Sequence, residues 1–218
     1  KVTIGLIAAI FIIMAIWHMF FTPRPDSDKP NEDINAKKII ADFGQAFSTY
    51  FKKPALWVAI LFMLLYRLPE GFLLKMLYPF LFATREMGGL GMSNQEFSLV
   101  YGTFGVIFLL LGGILGGSFI SRVGLKKAFW WMALGMTLPC LSFVYLCEFM
   151  PTSMINIAVA IAIEQFGYGF GFTAYMMYMM YFSEGEFKTS HYAICTSFMA
   201  LSMILPGLGA GYIQEETS

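Results

Sequence analysis

Charged residues are scarce in this sequence. Only 13% of its 218 residues are Asp, Glu, Lys or Arg, whereas 58% are hydrophobic, and the mean hydropathy is +0.67. Soluble domains average about 25% charged and about 45–50% apolar residues. A soluble protein of this length needs polar residues to cover its core, and this chain has too few. The shortage excludes an ordinary soluble domain and indicates that lipid covers most of the surface.

Cysteine and histidine are also rare, which limits disulfide and metal chemistry. The three cysteines, Cys140, Cys147 and Cys195, have no paired spacing, so we expect free thiols in apolar surroundings. His191 lies four residues before Cys195 on one helix face, but two ligands do not make a metal site. We therefore expect no metal and no cofactor. The 14 basic and 14 acidic residues balance, so the net charge does not indicate nucleic-acid binding.

Long hydrophobic runs, in contrast, are abundant. The hydrocarbon core of a bilayer is about 30 Å thick, and roughly 20 apolar residues of helix cross it. Six runs reach this length: Val2 to Phe21, about Ala55 to Ala83, Phe97 to Ile120, Ala128 to Cys147, about Ser153 to Phe182, and about Tyr192 to Ile213. The first run exceeds the core of a signal peptide, which has about 7–15 residues. The sequence thus predicts an all-α fold, a polytopic membrane bundle of six transmembrane helices.

A polar stretch, 22–53, separates the first two runs. In its second half, apolar residues recur every three or four positions behind Lys37 and Lys38: Ile39, Ile40, Phe43, Phe47 and Phe51. This spacing predicts an amphipathic helix that lies on the membrane surface. A plain linker helix that only tethers its neighbours is the alternative.

The basic residues of the loops predict the orientation of the bundle. The stretch 22–53 contains six of them: Arg24, Lys29, Lys37, Lys38, Lys52 and Lys53. The loop 121–127 contains Arg122, Lys126 and Lys127, whereas the loops on either side of it contain Arg85 alone and no basic residue. Cytoplasmic loops of membrane proteins are enriched in Lys and Arg. We therefore expect 22–53 and 121–127 to face the cytoplasm.

Three ionisable residues lie within the second hydrophobic run, and such residues usually face a cavity. Arg67 and Glu70 are three positions apart, so they share a helix face and can neutralise each other. Pro69 between them removes a backbone donor and favours a bend. Lys75 points away from that pair and can extend toward the interface. The alternative is a charge pair that only permits a water-filled cavity.

The fifth run contains a second candidate group. Glu164 precedes Gln165, and Tyr168 follows one turn later within a segment that has glycine at every second position. Burial in hydrocarbon disfavours the charged form of a lone carboxylate, which suits a reversible proton carrier. Glu164 can instead bind a polar group of a substrate, pair with a cation of the second run, or bond to polar groups of neighbouring helices. The glycines allow another backbone or a ligand to approach closely.

The segment from Gly116 to Lys127 resembles the signature loop of the major facilitator superfamily. The matching positions are Gly117, Arg122, Gly124, Lys126 and Lys127, and Ser121 stands where that loop usually has an acid. In the superfamily the loop is cytoplasmic, occurs between the second and third helices, and has a degenerate copy between the eighth and ninth. The resemblance implies that the matching residues steady a cytoplasmic gate.

A narrower resemblance covers about 50 residues of the last third. Glu164 to Tyr175, Tyr181 to Gly185, His191 to Ile194 and Pro206-Gly207 are similar to the AmpG-type muropeptide permeases, which are grouped with acetyl-coenzyme A transporters. The resemblance implies proton-driven uptake of peptidoglycan fragments across the inner membrane of Gram-negative bacteria.

Together these resemblances imply a division of the chain. Residues 1–21 would be the last helix of an N-terminal half, 22–53 the central cytoplasmic loop, and 54–218 a five-helix C-terminal bundle whose final helix is missing. Under this reading Arg67 and Lys75 attract substrate carboxylates, and Glu164 or Glu70 exchanges the proton. Tyr168 and Tyr175 stack on sugar rings. The partners are the lipid bilayer, a small-molecule substrate, protons and the N-terminal half.

Other functional classes remain open at this point. A carrier of another anionic solute, such as acetyl-coenzyme A, needs the same buried charges. A channel or packing subunit needs no proton carrier, so its flux would not depend on a proton gradient. A six-helix half-transporter that dimerises is a further alternative. A membrane enzyme requires a nucleophile or a metal set, and the sequence offers only isolated candidates such as Glu164 and His191. We therefore expect a transporter and not an enzyme.

Overall fold

A computed structural model describes residues 2–23 and 35–217, with the side chains of 208 and 210–217 outside that description. Every regular element in these ranges is helical. The α-helices are α1 (Val2–Phe21), α2 (Ala36–Phe51), α3 (Leu56–Phe82), α4 (Asn94–Leu99), α5 (Val106–Val123), α6 (Leu125–Thr137), α7 (Leu141–Phe149), α8 (Met154–Phe182) and α9 (Lys188–Thr217). The predicted all-α fold class is confirmed.

Short turns of other helix types join some of these elements into longer ones. A π-helical segment, Val100–Gly105, connects α4 to α5, and a 3₁₀ turn, Leu138–Cys140, connects α6 to α7. Within the described residues, five helical stretches are long and apolar enough to cross a bilayer: Val2–Phe21, Leu56–Phe82, Asn94–Val123, Leu125–Phe149 and Met154–Phe182. They match the first five predicted runs to within a few residues at each end. The sixth lies in α9, a 30-residue helix that is only partly described and does not enter that count.

The chain divides into two units, Lys1–Gly44 and Gln45–Ser218. The first unit contains α1, all of whose residues are exposed, as a helix facing lipid allows. Arg24 and Lys29, which contribute to the predicted orientation, lie outside the described residues. In the second unit, α8 packs against both α5 and α6, while α3 packs against α9.

Glycine allows α5 and α8 to cross with their backbones in contact. A Cβ atom at Gly112 would overlap the carbonyl oxygen of Phe166, and one at Gly169 would overlap that of Leu109. The glycines at 167 and 171 of α8 face α6, where a Cβ would meet Gly135 and Met136 respectively. The glycine-rich segment of α8 therefore serves backbone packing against two different helices. Close packing is the role that small residues have at membrane helix interfaces.

The amphipathic helix predicted behind Lys37 and Lys38 is present as α2. Its predicted apolar residues, Ile39, Ile40, Phe43, Phe47 and Phe51, are all exposed. The last turns of α2, which belong to the second unit, are instead attached to α9 through the residues between those positions. Nε2 of His191 lies 3.1 Å from the carbonyl oxygen of Ala46, and the hydroxyl of Tyr50 lies 3.5 Å from Sγ of Cys195. His191 and Cys195 therefore hold two helices together, and the described residues contain no cluster suited to a metal.

Candidate functional site

A cavity of about 530 Å³ lies between α3, α8 and the junction of α6 with the 3₁₀ turn that follows it. Most of its wall is apolar, and its polar groups are few: Tyr66, Glu70, Thr137, Glu164 and Tyr168. Ligand sites commonly combine an apolar wall with a few converging polar groups. The cavity therefore brings together the candidate acids of the second and fifth hydrophobic runs, which lie far apart in the sequence.

Arg67 and Glu70 form the ion pair that their spacing predicts. Nη2 of Arg67 lies 2.7 Å from Oε1 of Glu70, and Nε lies 2.9 Å from Oε2. Arg67 is 7% exposed and Glu70 is 6% exposed, so both charges have lost most of their water. A two-point guanidinium–carboxylate contact compensates that loss through two charge-assisted hydrogen bonds. The pair therefore gives each buried side chain an ionic partner.

Aromatic residues of α8 surround the same guanidinium. Nη2 of Arg67 donates a hydrogen bond of 3.0 Å to the hydroxyl of Tyr168. Its guanidinium carbon lies 4.8 Å from the ring centroid of Phe172 and 5.6 Å from that of Tyr168. Cation–π contacts of this kind strengthen when they are shielded from water. The arginine of α3 is thus attached to α8 as well as to Glu70.

Glu164 has no such cation. Among the described residues it forms no ion pair with Arg67 or Lys75, and its hydrogen-bond partner is the neighbouring side chain of Gln165. Nε2 of Gln165 lies 2.8 Å from Oε2 of Glu164 and 2.9 Å from the hydroxyl of Tyr101. Glu164 is 4% exposed and lines the cavity. The site therefore combines a compensated carboxylate at Glu70 with an uncompensated one at Glu164.

Tyr175 takes a different position from Tyr168. Its hydroxyl donates 2.8 Å to the carbonyl oxygen of Met63, and its ring stacks on that of Tyr66 with centroids 5.2 Å apart. The residue is fully covered and does not line the cavity. Tyr175 therefore links α8 to α3, and in this conformation its ring is out of reach of a ligand in the cavity.

Lys75 also lies outside the cavity lining. It is exposed, and its side chain runs along α9, where a Cβ atom at Gly207 would stand 3.3 Å from Cε of Lys75. It has no ion-pair partner among the side chains that the structure describes. The three ionisable residues of α3 thus separate into a buried pair and an exposed lysine, as their spacing predicts.

Comparison with known proteins assigns the family. The family model described as Major Facilitator Superfamily matches residues 1–207. The chain belongs to this superfamily. A Rickettsia typhi protein named "Putative transporter AmpG 2" is 28% identical over 207 residues, which cover 94% of this chain and 47% of that protein. A Rickettsia felis protein of the same name is 30% identical over 183 residues, covering 81% of this chain and 42% of the relative.

A Haemophilus influenzae protein described as uncharacterized is 24% identical over 227 residues, which cover 97% of this chain and 50% of that relative. The chain thus spans about half the length of the curated relatives it matches. This family assignment describes a multi-pass membrane protein of a transporter superfamily. The composition and the apolar helices agree with it.

The superfamily-like loop forms the turn between α5 and α6. Gly124 has φ 79° and ψ 149°, a conformation that strains residues with a side chain, and its N–H donates 2.8 Å to the carbonyl oxygen of Ile120. Arg122, Lys126 and Lys127 are exposed and form no ion pair within the described ranges. A Cβ atom at Gly117 would meet no atom of the described chain within 4 Å. Only Gly124 therefore has a local structural requirement for its residue type.

Several residues of the site are not evident from the sequence. Tyr66, Thr137 and Cys140 line the cavity, and Tyr101 bonds to Gln165 from the π-helical segment. These are neutral residues in apolar helices, and a sequence has many of them. The position of Tyr66 beside the buried Arg67 is the one local signal that would have singled out any of them.

Proposed function

We propose that this chain forms part of a proton-coupled transporter that takes muropeptides into the cytoplasm by alternating access. The observation that supports it best is the cavity whose lining contains two acids, Glu70 and Glu164. Glu70 is paired with Arg67, which does not itself line the cavity, whereas Glu164 is uncompensated. A carrier that moves a proton and an anionic solute needs a group that changes charge and a cation that stays charged. Glu164 in the lining meets the first requirement, and Arg67, which is bonded to the lining residues Glu70 and Tyr168, meets the second.

Glu164 is the better proton carrier of the two acids. Its carboxylate accepts one described hydrogen bond, from Gln165, and has no ion-pair partner within the described residues. Protonation of Glu164 therefore breaks no described ion pair. Glu70 would give up a two-point contact with Arg67 on taking a proton. In the proposed cycle, Glu164 takes a proton from the outer side and releases it to the cytoplasmic side when the cavity changes its access.

Arg67 is the proposed anchor for a substrate carboxylate. Glu70 and Tyr168 accept from Nε and Nη2, and no described hydrogen bond uses Nη1, so a substrate carboxylate can bind Nη1 without breaking these contacts. The pair with Glu70 then stays intact, which limits the cost of the buried charge. The ring of Tyr168, which lines the cavity, is available to contact a sugar.

The remaining parts of the proposal concern the whole transporter. Residues 1–21 form the last helix of an N-terminal half, 22–53 the central loop, and 54–218 the C-terminal bundle. The substrate site is completed by the N-terminal half, and the protein resides in the inner membrane. The loop with Gly117, Arg122, Gly124, Lys126 and Lys127 steadies the gate on the cytoplasmic side.

Uptake of labelled anhydro-muropeptide by vesicles that contain the whole transporter tests the function. We expect uptake that a proton uncoupler abolishes and that Glu164→Gln eliminates. Glu148→Gln, the same chemical change at an exposed acid of α7, is the matched control and should leave uptake intact. Uncoupler-sensitive uptake at the unmodified rate in the Glu164 variant would refute its role as carrier.

The substrate class has a separate outcome in the same assay. Arg67 favours anionic solutes in general, so acetyl-coenzyme A is the second substrate to offer. Coupled uptake of that compound and none of the muropeptide would keep the carrier and replace the substrate. If the uncoupler leaves the flux of either solute unchanged, the protein is instead an uncoupled channel.

A further inference from the structure

A second groove, of about 600 Å³, lies at the end of the bundle where the basic loop 121–127 is found. We call it the basic-end groove and define it by the residues at the start of α3, the start of α6 and the end of α8 that line it. Those used below are Phe62, Lys126, Phe129, Trp130, Tyr178 and Tyr181. The groove shares no lining residue with the transport cavity, and only Lys126 of its lining belongs to the loop that the proposed function assigns to the gate.

The floor of the basic-end groove is a cluster of three rings. The ring centroid of Phe62 lies 5.0 Å from that of Phe129 and 4.5 Å from that of Tyr178, and Phe129 and Tyr178 are 6.1 Å apart. The rim stays open, since Trp130 is 77% exposed and Tyr181 is 65% exposed. A continuous apolar floor with an open rim accepts an extended hydrocarbon chain.

The polar part of the groove is positive. Lys126 is the one charged residue of the lining, and it has no ion-pair partner within the described residues. Arg122 and Lys127 add positive charge beside it, and no acid lines the groove in the part of the chain that the structure describes. The hydroxyls of Tyr178 and Tyr181 also have no described hydrogen-bond partner. A cation and two free hydroxyls above an apolar floor match an anionic headgroup joined to an acyl chain.

The basic loop also determines which membrane leaflet the groove faces. Basic loops lie on the cytoplasmic side, where anionic lipids give the membrane surface a negative potential. Trp and Tyr favour the headgroup level, so the rim residues suit that depth. A free phosphate would leave the three rings uncovered, whereas a phospholipid covers them and reaches Lys126 at the same time.

We propose that the basic-end groove binds an anionic phospholipid of the cytoplasmic leaflet. Lys126 contacts the phosphate, the hydroxyls of Tyr178 and Tyr181 donate to headgroup oxygens, and one acyl chain lies on the floor formed by Phe62 and Phe129. The lipid fills the space between α3, α6 and α8 at the end of the bundle that carries the signature loop.

Quenching of tryptophan fluorescence by brominated lipids tests the proposal directly. The chain offers a matched pair, because Trp130 lines the groove and the adjacent Trp131 does not. Two variants of the whole transporter each retain one of these two residues as the only tryptophan. Size-exclusion chromatography first checks that each variant is folded, and each is then reconstituted in phosphatidylcholine vesicles. Brominated phosphatidylglycerol or brominated phosphatidylcholine is then added at equal mole fraction.

We expect brominated phosphatidylglycerol to quench Trp130 at about one-fifth of the concentration needed for brominated phosphatidylcholine. That ratio corresponds to about 1 kcal/mol for one lysine near an anionic surface. Trp131 should be quenched equally by both lipids. Lys126→Gln should abolish the preference at Trp130, Lys126→Arg should retain it, and Lys127→Gln, the same charge change one residue away, should also retain it.

Three results would overturn the proposal. Equal quenching of Trp130 by both lipids in the unmodified background would show that the groove does not select the headgroup. Loss of the preference in Lys127→Gln to the same degree as in Lys126→Gln would assign it to the general charge of the loop. Protection of Trp130 from both lipids would show that another protein segment covers the groove.

Discussion

Replacing Glu70 by Gln isolates the cost of the buried guanidinium of Arg67. The variant keeps the shape of the side chain but leaves Arg67, which is 7% exposed, without its ionic partner. Removing one member of a buried pair costs about 3–5 kcal/mol, because the remaining charge has lost its water and its partner. The hydroxyl of Tyr168 and the ring of Phe172 remain in place and should reduce the loss toward the lower end of that range.

The double variant Arg67→Met with Glu70→Leu is the reference for this cost, because it removes both charges of the pair. Replacing a buried pair by apolar residues of similar volume is often neutral or stabilising. We therefore expect Glu70→Gln to lower the free energy of unfolding by about 3 kcal/mol. The double variant should recover most of that loss but should not transport, because it lacks the proposed anchor Arg67.

Reversible unfolding in bicelles, followed by the fluorescence of the native tryptophans, measures both variants against the unmodified protein. A loss below about 1 kcal/mol in Glu70→Gln, the size typical of an exposed pair, would refute the reasoning. It would mean that water enters the cavity and solvates Arg67 in place of the carboxylate.

The other predictions concern glycine packing and the donor to Glu164. Gly112→Ala should abolish stable folding, because its Cβ would overlap the carbonyl oxygen of Phe166, and Gly124→Ala should cost about 1–3 kcal/mol because φ is 79°. Gly117→Ala, with open space around the new Cβ, is the control for both and should unfold no earlier than the unmodified protein. Gln165→Leu should impair proton-driven uptake by removing the hydrogen bond to Glu164, whereas the amount of folded protein in the membrane should change little.

Local features of this protein follow from the sequence because they depend on residues that are close in the chain. The bond between Arg67 and Glu70 is one example, since any helix places residues three apart on the same face. The helical runs are another, since about 20 apolar residues with few charges have one common structure in a bilayer. The helix α2 follows from its own residues in the same way.

Pairings between distant helices did not follow, because the same residues allow several arrangements. The sequence left open whether Glu164 meets a cation. Its hydrogen-bond partner is the adjacent Gln165, whose amide also bonds to the distant Tyr101, a contact that helix packing decides. It also treated Tyr168 and Tyr175 alike, although they lie two turns apart on α8 and only Tyr168 lines the cavity. Seven residues of helix return to the same face, so the difference is one of position along α8. Tyr175 bonds to Met63 and stacks on Tyr66, whereas Tyr168 bonds to Arg67 two turns away.

The sequence by itself thus indicated that lipid covers this protein and that its elements are helical. It also predicted the membrane side of the basic loops and the pairing of Arg67 with Glu70. Each depends on composition or on a spacing within one helix. Only the tertiary structure decided that Glu70 and Glu164 share one cavity while Tyr175 and Lys75 lie outside it. The physical reason is that lipid does not distinguish one apolar helix face from another, so close backbone contact at glycines selects which faces meet.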